Sequence, residues 1–141
     1  MFASHTLEHI ANPLKALKEW LRITKNKGYI ILVLPEKSFC FDHRRDVSDF
    51  EIILSQYKKN ASEDDLSTLP EILKYHDLEL DPAAGNFEQF KKRSLNNYKN
   101  RCLHHYVYSK NLLKEICSYL NCEFIYTITL KINIWFIMKK K

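Results

Sequence analysis

Glycine is nearly missing. Among 141 residues there are two, Gly28 and Gly85, far apart in the chain. A complete nucleotide-binding α/β domain spends several glycines on its cofactor or phosphate loop. No G-x-G-x-x-G and no Walker loop can be written anywhere in this sequence. The four cysteines, Cys40, Cys102, Cys117 and Cys122, include no C-x-x-C pair, and no stretch reads as a secretory signal. Reduced, mostly buried thiols in a cytoplasmic protein are therefore expected. No apolar run is long enough to span a membrane. There is no internal repeat and no low-complexity segment.

The composition supports a folded chain of one modest domain. Apolar residues make up 45% and aromatics 13%, enough for a packed core. The net charge of +5 comes largely from Lys91-Lys92-Arg93, Lys99, Arg101 and the tail Lys139-Lys140-Lys141. These runs read as solvated faces. Tyr98 and Tyr106 are too few aromatics to make them a nucleic-acid surface, so no nucleic-acid partner is expected.

Met1–Ser4 suits the end of a strand. Asn12 and Pro13 then form a helix start, because Asn can cap free backbone N–H groups and Pro lacks one. Leu14, Leu17, Leu21 and Thr24 recur at helical spacing. Gly28 is expected to end this helix in the left-handed conformation. "YIILVL", Tyr29–Leu34, is the apolar, β-branched run of a strand buried on both faces. Residues 36–108 are polar and rich in helix formers. They suggest three helices: from about Ser48, over "LSTLPEILKYH", and around Phe87, Phe90, Leu95 and Tyr98. Ser109 caps an amphipathic helix with Leu112, Leu113, Ile116, Cys117 and Leu120 on one face. "CEFIYTITLK" and "INIWFIMKK" close the chain as an antiparallel hairpin.

"SHTLEHIANP", Ser4–Pro13, contains H-x-x-E-H, the pattern of an inverted zinc-protease motif. Such a site needs both histidines on one continuous helix and a third ligand from elsewhere. Pro13 cannot donate back to the carbonyl of His9, and Asn12 is biased away from helical geometry. Any helix through His5–His9 is thus a single turn. No motif surrounds candidate third ligands such as Glu79 or Glu88. The expectation is no metal here, and no zinc protease.

The stretch "FASHTLEHIANPLKALKEWLRITKNKGYIILVLPEKSFCFD" resembles class I S-adenosylmethionine-dependent methyltransferases of the small-molecule, type 11 group. In that family an apolar fourth strand is followed by "xxHxLEHhxxP", then a helix carrying "LxEWxRhLKPGG", then a strand ending in Pro. The resemblance is strongest over residues 2–42. Asn26-Lys27-Gly28 stands where the family has Pro-Gly-Gly. The implied fold is α/β, a partial Rossmann-like methyltransferase fold. It runs from a strand-four stub through helix, strand five, helical insertion and helix to a closing antiparallel hairpin of strands six and seven. Strands one to three, with the Gly-rich loop, are absent. The whole of 1–141 would be one incomplete domain, with 36–108 as a helical insertion on the substrate side.

The resemblance implies S-adenosylmethionine as cofactor, although its main binding motif is missing. Ligands of open α/β sheets bind beyond the carboxyl ends of the strands. Ser4, His5 and Thr6 would flank the cofactor's methionine end, with His5 as the candidate general base. Glu8 and His9 would lie just behind on the substrate side. His43, Arg44 and Arg45 follow the next strand and could hold an acidic, phosphorylated or sugar-nucleotide substrate. His105 is a further candidate near the substrate.

The expected partners are a small-molecule or glycan-precursor acceptor, and a separate amino-terminal half or a homodimer partner. Without them "YIILVL" would be flanked on one side only by a strand stub, with an apolar sheet face and an open edge exposed. The enzyme reading is methyl transfer by a truncated chain inactive alone. The other reading is a non-catalytic remnant or partner-binding module of the same fold.

Overall fold

A computed structural model describes all 141 residues as a mixed α/β structure with one four-stranded sheet and six α-helices. Strand β1 (Phe2–Ser4) leads through a 3-10 turn at Leu7–His9 to helix α1 (Pro13–Ile23) and strand β2 (Tyr29–Pro35). The region that follows contains α2 (Phe50–Lys58), α3 (Leu69–Tyr75), α4 (Phe87–Leu95) and the short α5 (Asn97–Asn100). Helix α6 (Lys110–Tyr119) then precedes β3 (Glu123–Leu130) and β4 (Asn133–Lys139). The architecture is compatible with a partial Rossmann-like fold.

The helix starts follow local chemistry. The Asn12 side chain accepts from the Lys15 N–H, and its amide donates to the Gln56 and Ala61 carbonyls, so one residue caps α1 and ties it to the end of α2. Ser109 accepts from the Leu112 N–H and caps α6. The α1–β2 turn departs from expectation. Lys27, not Gly28, takes the left-handed conformation, at φ 60°. Gly28 is needed for space instead: a Cβ there would stand 2.7 Å from the Lys25 carbonyl oxygen and 2.8 Å from the Thr24 methyl carbon.

The strand order is β1-β2-β4-β3. β1 runs parallel to β2, with Phe2 opposite Ile31 and Ser4 opposite Val33. β4 lies antiparallel between β2 and β3, with Tyr29 opposite Lys139 and Pro35 opposite Asn133. The other side of "YIILVL" is therefore filled by β4. Two expectations combine here, because the closing hairpin forms but its second strand is the one that joins the inner sheet. The β3–β4 register slips between Phe124 and Tyr126, a β-bulge.

Ile30, Leu32, Leu34, Ile134, Phe136 and Met138 point to one face, where they pack with Leu14 and Leu17 of α1, Ile53 of α2 and Leu113 and Ile116 of α6. The opposite face carries Phe2, Ile31, Trp135 and Ile137, all partly or fully exposed, though Val33 is buried. The expectation that β2 is buried on both faces is thus met on one. All three packing helices lie on the same side, and Tyr29 and Ile31 keep contact with solvent. A second small core, Leu69, Ile72, Ala84, Phe90 and Leu103, forms within residues 36–108. No helix is long and apolar enough to cross a membrane.

Phe136 sits at the centre of the covered face, 5.4 Å from the Phe124 ring and 1% exposed. Phe136→Ala should lower the unfolding free energy by about 3–5 kcal/mol, measured by urea denaturation.

Candidate methyl-transfer site

The carboxyl end of β1 turns sharply. The His5 backbone N–H donates to the Val33 carbonyl at 2.9 Å, the last rung of the parallel pairing. His5 itself has φ 47°, a left-handed conformation that costs a non-glycine residue about 1–3 kcal/mol and that clusters at functional sites. Its side chain is 46% exposed. With Thr6, His9, Ile10, Glu63 and Arg101 it lines an open cleft of about 320 Å³. Glu63 and Arg101 face each other across an ion pair of 2.6 Å. Thr6 turns its hydroxyl back to the Ser4 carbonyl, 2.9 Å away.

Behind this wall lies a buried polar layer. An extended strip, residues 103–108, passes under the Leu7–His9 turn. His105 N–H donates to the Glu8 carbonyl at 2.7 Å. His9 Nδ1–H donates to the Leu103 carbonyl at 3.0 Å, and the Tyr106 hydroxyl donates to the Ala11 carbonyl at 2.9 Å. The strip brings His104 edge-on to His9, with ring centroids 4.7 Å apart. Glu8 is fully buried, and neither of its carboxylate oxygens accepts a hydrogen bond. Burial raises its carboxyl above the usual range. The nearby backbone N–H groups of Glu8 and Thr6, and His104 and His5, pull the other way without reaching hydrogen-bond geometry. His5 Nδ1 lies 3.5 Å from Glu8 Oε1, an ion-pair distance rather than a hydrogen bond.

The sequence candidates separate into two groups. Ser4, His5, Thr6, Glu8 and His9 come together at the end of β1, with Glu8 hidden beneath the others. His43, Arg44, Arg45 and His105 lie elsewhere. His43 and Arg44 both hold Asp77, at 2.8 and 2.7 Å, and the hydrogen bond from His43, followed by the Glu79 backbone N–H and the charge of Arg44, keeps the Asp77 carboxyl below its usual range. Arg45 does not present a basic surface with Arg44. It is buried, donating to Asp42 at 2.9 Å, to Glu71 at 3.2 Å and to the carbonyls of His104 and His105. The opposite charge of Asp42 and the free carbonyls draw it inward. Burial raises the Asp42 carboxyl, but His104 and Arg45 outweigh it and the net shift is downward.

His105 is likewise interior, against a separate cavity of about 270 Å³ that also includes Ser48, Thr68 and Glu71. Its tautomer can be read from the neighbours. Asn97 Oδ1 accepts from the Leu103 N–H, so the Asn97 amide must donate to His105 Nε2, leaving His105 Nδ1–H for Thr68 Oγ1. Sequence reasoning passed over His104, Glu63 and Arg101 as site residues. Only the doubled histidine at 104–105 hinted at the first of them.

Residues 1–32 match the family model of a methyltransferase domain. This stretch is a class I S-adenosylmethionine-dependent methyltransferase-like region. It spans β1, the His5–His9 turn, α1 and the start of β2, and so includes His5, Thr6, His9 and Ile10 of the cleft but not Glu63 or Arg101. No curated protein and no solved structure matches the chain.

Methyltransferases of this kind use S-adenosylmethionine, and the cleft fits part of that molecule. Polar side chains, a histidine and an ion pair suit its amino-acid end and an acceptor. No glycine borders the cleft, since Gly28 lies at the α1–β2 turn and Gly85 before α4. The nucleoside end therefore finds no backbone cradle among these residues.

Two outcomes are expected. Arg45→Ala would strand the Asp42 charge in the interior and lower stability by about 3–5 kcal/mol by chemical denaturation, with Arg45→Lys recovering little because Lys cannot make the forked contacts. Burial lowers the His105 pKa from 6.5 to about 4, so its neutral form is favoured in the folded state. The unfolded chain binds the extra proton first. Stability should be full above about pH 6.5 and fall as the pH drops toward about 4. His105→Gln should flatten that decline in urea midpoints measured across the range.

Proposed function

We propose that the chain serves in S-adenosylmethionine-dependent methyl transfer to a small molecule or glycan precursor, with His5 as general base. The supporting observation is the position of His5: strained, half-exposed, at the carboxyl end of a parallel strand and on the wall of the cleft. The methyltransferase-like match of residues 1–32 includes this part of the wall. S-adenosylmethionine supplies an electrophilic methyl group. Ser4 and Thr6 would flank its amino-acid end, and Ile10 supplies the apolar side of the cleft. His5 would take the proton from an acceptor hydroxyl or amine, with Glu8 3.5 Å behind its Nδ1. His43, Arg44, Arg45 and His105 do not border this cleft, so acceptor contacts fall to His5, His9, Glu63 and Arg101.

The nucleoside end requires residues beyond the free edge of β1, from this polypeptide or another. That edge, with Phe2 exposed and Ile31, Trp135 and Ile137 partly exposed on the uncovered face beside it, also favours a second reading: a partner-binding module of the methyltransferase fold without catalysis.

Calorimetric titration with S-adenosylmethionine separates the two. Saturable binding, by the chain alone or mixed with an amino-terminal half that supplies the nucleoside side, is expected on the enzyme reading, and its absence in both overturns that reading in favour of the module. Where turnover is measured, His5→Gln should lower kcat by about 10²–10⁴-fold with cofactor affinity little changed.

A further inference from the structure

One polar cluster is left unexplained by methyl transfer. Glu8, His9 and His104 each bring a potential ligand atom to within 4.8 Å of the others. The two rings are fixed in orientation. His9 Nδ1 faces the Leu103 carbonyl at 3.0 Å, and a carbonyl can only accept, so that nitrogen carries the proton. His104 Nδ1 faces the Asp42 carboxylate at 2.5 Å, which likewise accepts. In each ring the nitrogen with a lone pair to offer is Nε2. The third member is a carboxylate buried without any hydrogen-bond partner. A buried carboxylate in that state costs free energy unless it keeps a proton or a positive charge meets it.

We propose that Glu8, His9 and His104 bind one divalent first-row transition-metal ion of the zinc type, through one Glu8 carboxylate oxygen and Nε2 of both histidines. Two imidazoles and a carboxylate form a three-ligand set with an open position, as in catalytic rather than structural metal sites. The surroundings match what such ligands need. Asp42 orients His104 as a carboxylate–histidine pair and is itself anchored by Arg45, while the Leu103 carbonyl orients His9. Asp42 is not the carboxylate ligand, because its two oxygens are already committed to Arg45 and His104. The Cys40 thiol, the other potential donor beside His104, is turned to the Lys37 carbonyl at 3.6 Å and to Asp42 at 3.9 Å.

His9 borders the open cleft, which gives the ion a route in. The open coordination position takes an oxygen donor. That this donor is the methyl acceptor's hydroxyl rests on the methyl-transfer reading, whereas metal binding does not. The H-x-x-E-H spacing thus contributes two ligands, Glu8 and His9, and the third comes from His104 in a distant part of the chain rather than from His5 on a shared helix.

The test is titration of the chelator-treated full chain with Zn²⁺, followed by calorimetry, with Co²⁺ substituted to report coordination by its visible spectrum. One equivalent per chain is expected, with an absorption spectrum of low coordination number and a Zn²⁺-dependent rise in Tm. Glu8→Gln and His9→Gln, each checked for native fold by circular dichroism, should weaken binding by more than about 100-fold and abolish the rise in Tm. His43→Ala, at the separate Asp77 pair, should leave binding intact. Absence of stoichiometric binding, or binding that survives both Glu8→Gln and His9→Gln, overturns the proposal and leaves Glu8 as a buried neutral acid. Zinc binding without any S-adenosylmethionine binding would uphold the metal site while removing the methyl-transfer reading.

Discussion

The Arg45 guanidinium is the contact on which the functional end of the structure depends. One buried cation joins the loop after β2 through Asp42, helix α3 through Glu71, and the strip before α6 through the His104 and His105 carbonyls. Its own backbone carbonyl accepts from the Lys37 ammonium. Three segments distant in sequence are thereby held at the carboxyl ends of β1 and β2. A buried ion pair of this kind adds little net stability against an apolar replacement, but it specifies one arrangement over others that hydrophobic packing alone would tolerate. That specificity places His104 against His9 and Glu8.

Two layers of polar chemistry result. The outer one, His5, Thr6, Glu63 and Arg101, meets solvent in the cleft. The inner one, Glu8, His104, Asp42 and Arg45, is dry. His9 belongs to both. In the dry layer electrostatic effects are large, because little water screens them. Burial, followed by the neighbouring His104, lowers the His9 pKa to about 4 and keeps its ring neutral. The outer layer can exchange protons with acceptors, while the inner layer holds fixed charges and fixed tautomers. The strained His5 backbone marks the boundary between them.

Much of this architecture was legible from local pattern. Asn12-Pro13 announced α1, Ser109 announced α6, and the apolar run Tyr29–Leu34 announced an inner strand, because capping and periodicity are local properties. The single-turn geometry of Leu7–His9 followed from Pro13. The insertion of β4 between β2 and β3 was not legible, since adjacency in sequence speaks for the hairpin but not for which hairpin strand turns inward. Nor was the uncovered face of β2, whose apolar residues are the same whether or not a helix covers them. The site divides in the same way. His5 and His9 were visible because they are close in sequence. The partnership with His104 depends on contacts across most of the chain, and the inward turn of Arg45 depends on charges that no spacing reveals.

The place of β4 has a consequence for how the molecule comes into being. Its seven residues fill the slot between β2 and β3, so β2 has its antiparallel neighbour only once the segment Asn133–Lys139 exists. During synthesis the run Tyr29–Leu34 emerges long before that segment does. Until then its main companion is the three-residue β1, too short to cover its edge. The nascent chain must carry an unpaired apolar strand through the making of nearly every helix, the condition under which long-range strand pairing is slow and exposed edges find foreign partners.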